Sequence, residues 1–402
     1  MTEWPTIQFQ ELADESKSAI SKPYGSAITK EDYVPQGVPV VRGVNLRNGI
    51  FLDDEFVFID EKKADQMPGA NLISGDLVFT HRGTIGQVSM IPRYPRYPRY
   101  VLSTSQVKAR LDSKRALPEF YYYWFSSSAG QHELLGNTST VGVPGLGQPV
   151  ATIKSLRVPH PPLLVQKAVA AVLGALDDKI AANGRIATRS DELLRAHYAG
   201  RCADSREMIR IHELGMIVRD MVPAESLAGD EDYIGLEHMP RRHVWLSSWE
   251  SAAGVISAKT RFRRGDVLFG KLRPYFHKVG CAFTDGVSST DILVIRSKRD
   301  IFNGWLLAAL SSDDVVAHAS AVGDGTRMPR VKWDDLANYH VPWSGLECAA
   351  RFNQFVSSLS DRVASACAES RRLTELREIL LPKLLSGEIR VRDAEKVVEE
   401  AT

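Results

Sequence analysis

The sequence repeats itself once, and this repeat constrains the fold more than any other feature. Gly75-Asp76-Leu77-Val78-Phe79 in the first half corresponds to Gly265-Asp266-Val267-Leu268-Phe269 in the second. Two further features recur at a constant offset of 183 residues: a glycine-rich loop, Gly142 against Gly325, and a Val-Pro pair, Pro159 against Pro342. A constant offset across separate motifs indicates a duplicated unit, so we expect two domains of one design.

Each unit is predicted to close with a long helix. Apolar residues step by three and four from Val169 to Leu194 and from Val356 to Leu384, which is the spacing of a coiled-coil seam. The second pattern is expected to end where Pro382 and Gly387 interrupt it. The seam positions predicted to form the helical spacer are Leu173, Leu176, Ile180, Asn183 and Leu194 in the first helix, and Leu359, Val363, Leu373 and Leu380 in the second.

Two such helices in one chain are expected to pack antiparallel, with a globular domain at either end, over roughly 50 Å. The alternative is that each helix caps the core of its own domain. The predicted fold class is α+β: two α/β domains joined by two long antiparallel coiled-coil helices in an internal pseudo-twofold repeat. The predicted boundaries are a first domain over 1–162, a central helix over 163–202, a second domain over 203–344, a C-terminal helix over 345–386 and a C-terminal tail over 387–402.

No motif in the sequence predicts catalysis. A phosphate-cradling G-x-x-x-x-G-K-[ST] run, a G-x-G-x-x-G spacing and a G-x-S-x-G elbow are all absent, as is the Asn/Asp-Pro-Pro-aromatic run with which amino-methyltransferases hold a base. The cysteines are widely separated and no metal-ligand spacing occurs, so no metal site is predicted. We find neither a signal peptide nor an apolar stretch long enough to cross a bilayer, so we expect a cytoplasmic protein that does not bind membranes.

Basic and aromatic residues indicate a binding function. Residues 92–100 repeat Pro-Arg-Tyr three times, and prolines at every third position favour an extended backbone from which arginines can reach phosphates or guanine edges. The alternative is a solvated insert. The DNA-binding candidates of the first unit are Arg82, Thr84, Arg93, Tyr94, Arg96, Tyr97, Arg99 and Ser105.

The second unit carries a comparable cluster around its Gly-Asp strand and in its glycine-rich loop. An ordinary charged face is the alternative here. The DNA-binding candidates are Arg261, Arg263, Lys271, Arg273, Tyr275, His277, Lys278, Arg327 and Arg330.

The net charge of +1 suggests no anionic partner, but the charge is unevenly distributed. Residues 82–115 hold eight lysines and arginines against one aspartate, and residues 241–278 hold nine against two acids. The rest of the chain is therefore net acidic. We expect two basic patches, one in each unit, on an otherwise acidic body.

These features together resemble the specificity subunit of type I restriction-modification enzymes. The resemblance rests on the duplicated Gly-Asp strands, on the Val-Pro pairs before the helices, on the helix sequence LGALDDKI over residues 173–180, and on the closing sequence LLPKLLSGEIRV over residues 380–391. It covers essentially the whole chain.

The resemblance implies two target-recognition domains that each read one half of a bipartite sequence in double-stranded DNA, with the helices as a ruler between them. It also implies that the chain has no catalytic residue and binds no cofactor itself. Its partners would be two modification subunits, which bind S-adenosylmethionine and methylate adenine, and restriction subunits, which use ATP and Mg²⁺ to translocate and cleave DNA. The flanks of the helices would dock the modification subunits.

Two other functions remain open on the residues alone. One is a non-catalytic coiled-coil scaffold that binds partner proteins without DNA. The other is a fused enzyme that both recognises and modifies DNA, and the absent cofactor and base-holding motifs count against it.

Overall fold

The chain folds into two compact units. The computed structural model describes residues 4–25, 27–47, 49–136, 138–139, 145–203, 205–227, 229–323 and 328–401. The first unit comprises Met1–Asp178 and Arg372–Thr402, and the second comprises Lys179–Arg371. Both divisions fall inside a long helix.

The first unit is built mainly of short strands with a few helices. Its strands are β1 (Thr6–Gln8), β2 (Ile20–Ser21), β3 (Tyr33–Val34), β4 (Val38–Val41), β5 (Leu46–Arg47), β6 (Ile50–Phe51), β7 (Val57–Ile59), β8 (Asn71–Leu72), β9 (Leu77–Thr80), β10 (Val88–Met90), β11 (Tyr100–Leu102), β12 (Gln106–Ala109), β13 (Thr138–Ser139), β14 (Gly145–Leu146) and β15 (Arg157–Pro159). Its short helices are α1 (Glu61–Asp65), α2 (Pro118–Ser126), α3 (Ser128–Leu135) and α4 (Pro149–Ser155), and the long helix α5 spans Leu163–Ala203.

The second unit has the same mixed composition. Its strands are β16 (Glu207–Arg210), β17 (Gly215–Ile217), β18 (Met221–Val222), β19 (Asp232–Ile234), β20 (Trp245–Leu246), β21 (Glu250–Ser251), β22 (Lys259–Phe262), β23 (Val267–Gly270), β24 (Val279–Ala282), β25 (Gly286–Ser288), β26 (Ile292–Ser297) and β27 (His340–Trp343). Its short helices are α6 (Ile211–Leu214), α7 (Asn303–Leu310), α8 (Asp313–Val322) and α9 (Trp333–Ala337); α10 (Gly345–Ser386) and α11 (Val391–Ala401) follow.

The strand order of the first unit recurs in the second. One sheet of the first unit has the order β10-β9-β12-β2. The corresponding sheet of the second unit has the order β24-β23-β26-β17, with the additional strand β20 next to β24. In the other sheet β4 pairs in parallel with β11, as β19 does with β25. The first strand of each unit also pairs antiparallel with the strand that precedes the long helix, β1 with β15 and β16 with β27. The predicted mixed α/β class with two units is confirmed.

Each unit has an aromatic core between its sheets and helices. In the first, the rings of Phe9 and Phe79 pack edge-on against Phe125, with centroids 5.1 and 4.9 Å away. In the second, Trp305 is fully buried and its ring lies 5.2 Å from Tyr198 of α5 and 5.6 Å from Phe352 of α10. The long helices therefore contribute side chains to the core, as the capping alternative also anticipated.

The predicted seam positions lie on two long helices, α5 and α10. At 41 and 42 residues, α5 and α10 are each about 60 Å long. Ile180 and Leu359 are half-buried at the seam positions. The other predicted positions are buried: Leu173, Leu176, Asn183, Leu194, Val363, Leu373 and Leu380.

The second seam pattern was expected to end where Pro382 and Gly387 interrupt it. Helix α10 continues through Pro382 and ends at Ser386, immediately before Gly387. Proline lacks a backbone N–H and so costs one helical hydrogen bond, but flanking turns can keep the helix intact. The helix ends at Gly387, whose φ of +75° suits glycine. The Ile389 N–H then donates to the Lys383 carbonyl.

Contacts within the second unit give the direction of its two long-helix segments. Asn183 donates to the Glu369 carboxylate at 2.7 Å, and the His197 ring stacks on Phe355 at 4.2 Å between centroids. His197 comes after Asn183 in α5, whereas its partner Phe355 comes before Glu369 in α10, so these segments run antiparallel. Among the described helices, none is long and apolar enough to span a membrane.

Candidate nucleic-acid interface

In the first unit, three loops meet at the end of the Gly-Asp strand β9. His81 follows this strand; its N–H donates to the Ser105 carbonyl at 3.0 Å, and its carbonyl accepts from the Leu146 N–H at 3.0 Å. The next residue, Arg82, forms an antiparallel bridge with Gly145. Segments from three separate parts of the sequence are thus joined by backbone hydrogen bonds.

The second unit repeats these contacts with different side chains. The Lys271 N–H donates to the Asp291 carbonyl at 2.9 Å, and the Lys271 carbonyl accepts from the Val331 N–H at 3.1 Å. Leu272 forms the bridge with Arg330. We call this arrangement the loop frame; its segments are residues 81–86, 103–106 and 145–147 in the first unit, and 271–278, 289–292 and 329–331 in the second.

A buried carboxylate holds the Gly-Asp strand of the first frame in place. Gly75 has a φ of +84°, which turns the chain, and Asp76 accepts from the Ile73 N–H at 2.9 Å. Its two oxygens also accept from Arg110 at 2.8 and 2.7 Å. This bidentate bond, with Asp76 only 1% exposed, raises the pKa of Arg110 and ties β9 to the segment that follows β12.

The second unit uses the same device. Asp266 accepts from the Arg263 N–H at 2.8 Å and binds Arg296 of β26 through both oxygens at 2.8 and 2.7 Å. The Gly-Asp motif of the repeat therefore anchors the strand at one end, and the loop frame lies at the other.

The first loop frame exposes a small polar and basic set. Arg82 and Thr84 are exposed, and Ser105 is half-buried. His81 is buried, with its Nε2 3.1 Å from the Thr104 carbonyl, and burial lowers its pKa, so the ring is neutral at pH 7. Arg82 is therefore the cation that this frame presents to solvent.

The second loop frame is more basic and carries an aromatic ring. Lys271 and Arg273 are half-buried, while Arg330 and Tyr275 are exposed. The Lys278 ammonium is turned inward and donates to the Leu236 carbonyl. Arg327 and the glycine-rich loops around Gly142 and Gly325 lie outside the described residues.

His277 does not belong to the exposed set. The residue is 3% exposed, and its Nε2 donates to the Ser311 carbonyl at 2.9 Å. Burial lowers its pKa. Arg273 and His277 bracket the turn Pro274–Phe276 with φ of +51° and +52°, values that non-glycine residues rarely adopt. His277 therefore anchors the loop and does not face a ligand.

The Pro-Arg-Tyr run lies away from the first loop frame. The sequence had predicted that the run and Arg82 belong to a single basic patch of the first unit. The Gly75 N–H donates to the Ile91 carbonyl, and the Ser74 hydroxyl donates to the Arg93 carbonyl. Because β10 runs antiparallel to β9, the loop after β10 returns to the Gly-Asp end of β9, opposite Arg82. The structure thus divides the basic stretch between two ends of the sheet.

The run is anchored at one side and exposed at the other. The Tyr97 ring packs 5.9 Å from Phe56, and the Arg96 N–H donates to Asp53 at 2.6 Å. Tyr94 is 85% exposed. Arg93 and Arg96 are exposed as well, whereas Arg99 pairs with Asp65 at 2.6 Å. The run is therefore not a fully solvated insert.

The remaining candidates lie near the Gly-Asp end of β23. Arg261 is half-buried and pairs with Glu231 at 3.0 Å. Arg263 is exposed and donates its backbone N–H to Asp266. The expected second patch is thus also divided between two strand ends.

Sequence reasoning missed two arginines that pack against the second loop frame. The Arg241 guanidinium lies 4.1 Å from the centroid of Phe276. The Arg242 N–H donates to the His277 carbonyl at 2.9 Å, and its side chain pairs with Asp313 at 2.9 Å. The adjacent basic pair is visible in the sequence, but only the fold brings it to a loop some 30 residues later.

Glu237, His238 and Glu250 lie close together in the second unit, and the atoms with which they could bind a metal ion are within 4.8 Å of one another. The Gly235 N–H donates to His238 Nδ1 at 2.9 Å. This bond places the ring proton on Nε2, which points to Glu250 at 3.8 Å. Because the backbone N–H occupies Nδ1, only Nε2 of His238 remains as a potential ligand atom beside the two carboxylates.

Sequence comparisons match part of the chain to a known family. A sequence model of the family described as "Type I restriction modification DNA specificity domain" matches residues 4–189. The chain is 30% identical over 185 residues to the type I restriction enzyme EcoDI specificity subunit of Escherichia coli, a match that covers 41% of this chain and 39% of that protein.

The fold has a counterpart among solved structures. The S subunit of the type I restriction-modification system from M. genitalium aligns over 95% of this chain and 96% of its own, with a TM-score of 0.58 and 15% identity. At this identity the likeness concerns the fold. The match to the family described as "Type I restriction modification DNA specificity domain" is thus limited to residues 4–189, a little under half of the chain.

Proposed function

We propose that this chain is the non-catalytic DNA-specificity subunit of a type I restriction-modification complex. Each unit would read one half of a bipartite site in double-stranded DNA. The observation that carries the proposal is the loop frame, which occurs in both units with the same backbone hydrogen bonds and different exposed side chains. One scaffold with two sets of side chains suits a protein that reads two different half-sites.

The contacts would divide into two kinds. The contacts to base edges would come from the two loop frames: Arg82 and Thr84 in the first unit, and Lys271, Tyr275 and Arg330 in the second. Arg93 and Arg96 at the other end of the first sheet suit phosphates, because they are exposed on a loop that Asp53 and Tyr97 hold. Phosphate contacts supply affinity and register, whereas contacts to base edges supply sequence choice.

The long helices would act as the ruler between the half-sites. We propose that α5 and α10 form an antiparallel coiled coil that relates the two recognition domains by a pseudo-twofold axis. Polar seam contacts support this, since Asn183 bonds to Glu369 and a polar pair in a seam favours one register over its neighbours. The predicted domain boundaries at 162, 202, 344 and 386 belong to the same proposal.

The chemistry would reside in partner subunits. The proposed partners are two modification subunits with S-adenosylmethionine, docked on the flanks of the helices, and restriction subunits with ATP and Mg²⁺. This chain would bind no cofactor. Purified chain given DNA and labelled S-adenosylmethionine, without partners, should transfer no methyl group; transfer would contradict the subunit assignment.

The salt dependence of DNA binding tests the proposal against a peptide-binding scaffold. For a duplex bound through several phosphates, the logarithm of the binding constant falls linearly with the logarithm of salt concentration, by about 0.9 for each phosphate neutralised. We expect the full chain, titrated with duplex between roughly 50 and 200 mM salt, to lose affinity steeply. A shallow slope, or no binding at any salt, would contradict DNA recognition.

A further inference from the structure

We infer that Arg330 reads a guanine in one half-site and that Asp291 is the positioning residue that aims it. The inference rests on the proposed function, and it assigns a base class to one position of the second loop frame.

The two side chains form an ion pair within this frame. Arg330 Nε lies 3.2 Å from Asp291 Oδ1, and the side chains are 49% and 31% exposed. Arg330 bridges to Leu272, and the Asp291 carbonyl accepts from Lys271. The pair thus lies where the loop after β23 meets the other two segments of the frame.

The backbone on either side of the pair is fixed. The Asp291 N–H donates to the Ser289 hydroxyl at 3.3 Å. On the other segment, the Pro329 carbonyl accepts from Arg273 at 2.8 Å, and the Val331 N–H donates to Lys271 at 3.1 Å. Both side chains therefore project from ordered backbone, which reduces the conformational entropy that an arginine loses on binding.

The hydrogen bond from Arg330 Nε to Asp291 leaves the two terminal nitrogens of the guanidinium available for a base. A guanidinium carries five N–H donors in a planar fork, and Asp291 engages the one on Nε. The terminal nitrogens retain the spacing that matches O6 and N7 of guanine, the acceptor pair that arginine binds bidentately in the major groove. A carboxylate on Nε restricts rotation of the fork and so favours one orientation of that pair.

The first unit lacks this pair at the same frame positions. Ser105 accepts from His81 as Asp291 does from Lys271, and Gly145 bridges to Arg82 as Arg330 does to Leu272. Serine and glycine cannot form an ion pair. The effect of Arg330 should therefore be confined to one half-site.

Selection from duplexes with randomised half-sites tests this, using the full chain assembled with its modification subunits. Wild-type complex should select a bipartite motif with a G·C pair at one position that depends on Arg330. Arg330→Ala should lower the preference for that pair about 10- to 100-fold and leave the other half-site and the spacer unchanged. Arg330→Lys keeps the charge but loses the fork, so it should show nearly the same loss.

Asp291→Asn tests the positioning role. It should weaken the same preference partially in wild type and have no further effect on it in an Arg330→Lys background, which a general loss of stability would not produce. Thermal unfolding of each variant checks its fold, and the unchanged half-site serves as an internal control.

The outcomes separate the two claims. No bipartite motif from the wild-type complex would overturn the proposed function. A bipartite motif that survives both Arg330 variants would overturn only this inference. Equal weakening for all four bases in Arg330→Ala, with affinity restored in Arg330→Lys, would make Arg330 a phosphate contact and would also overturn it.

Discussion

At the residue scale, two aspartates explain why the Gly-Asp motif recurs. Asp76 and Asp266 each accept a backbone N–H and bind an arginine through both oxygens. The sequence predicts the turn, but it cannot identify the partners, because Arg110 and Arg296 follow 34 and 30 residues later and only the strand pairing brings them back.

We expect Asp76→Ala to lower the free energy of unfolding by about 3 kcal/mol, since it leaves the Arg110 guanidinium without its buried counter-ion. The matched control is Asp65→Ala. Asp65 also pairs with an arginine, Arg99, but its side chain is 63% exposed, so the cost should stay under about 1 kcal/mol. Denaturant unfolding of the full chain measures both, and equal costs would contradict the anchoring role.

His277 illustrates a residue whose type suggested a ligand contact and whose position makes it an anchor. Because burial lowers its pKa, the folded state prefers the neutral ring, while the unfolded chain takes up a proton near pH 6.5. The unfolded state therefore binds more protons on acidification. Arg195 and Arg242 add to this effect, and Asp313 opposes it.

We expect the free energy of unfolding to fall as the pH drops from about 7 through 6.5 toward 5. His277→Gln keeps a donor for the Ser311 carbonyl and cannot titrate, so this variant should lose less stability over the same range. Unfolding curves at several pH values provide the test. Parallel pH dependence in the two proteins would show that His277 does not titrate as argued.

At the element scale, helices were more predictable than loops. The seam spacing predicts long helices, and the mixed fold with its long helix α5 is confirmed. The sequence marks both Pro382 and Gly387 as interruptions of the second helix. It does not show that α10 passes through Pro382, because sequence rules do not weigh one missing hydrogen bond against the packing of Leu380 and Leu384 on either side. The position of the Pro-Arg-Tyr run depends on how β10 pairs with β9, so sequence order alone could not predict it.

A polar contact joins three helices of the first unit. Asp177 of α5 accepts from the Tyr123 hydroxyl of α2 at 2.8 Å and from Arg377 of α10 at 2.7 Å. Asp177→Ala should cost about 1–3 kcal/mol, because the buried Tyr123 hydroxyl and the half-buried Arg377 guanidinium lose their acceptor. Asp178→Ala, next along the same helix and exposed, should stay within about 0.5 kcal/mol. Similar unfolding midpoints for the two variants would contradict this role for Asp177.

The exposed side of the Pro-Arg-Tyr run should act through phosphates alone. Replacing Arg93 and Arg96 with alanine should weaken duplex binding equally for all sequences and reduce the salt slope by about 1 for each phosphate that is no longer neutralised. Arg99→Ala is the matched control, because Asp65 already neutralises that charge. Salt titrations on cognate and scrambled duplexes measure this, and a changed base preference would place the run among the reading residues.

At the scale of the whole molecule, the division into two units could be predicted from the sequence repeat, because a constant offset needs no knowledge of side-chain packing. Charge counted along the chain was less informative. Lys108 is 1% exposed and its burial lowers its pKa to about 8, and Arg110 and Arg261 pair with acids. Part of each basic stretch therefore stabilises the fold, and the exposed cations are divided between two ends of the sheet.

We propose that the two units together direct methylation to one bipartite DNA site. The most direct measurement is a genome-wide map of methylated adenines in the host with and without this gene. We predict that deletion abolishes methylation at one motif of two specific half-sites separated by a fixed unread spacer, and that reintroducing the gene restores it. Unchanged methylation at every motif, with the modification subunit present, would contradict the account.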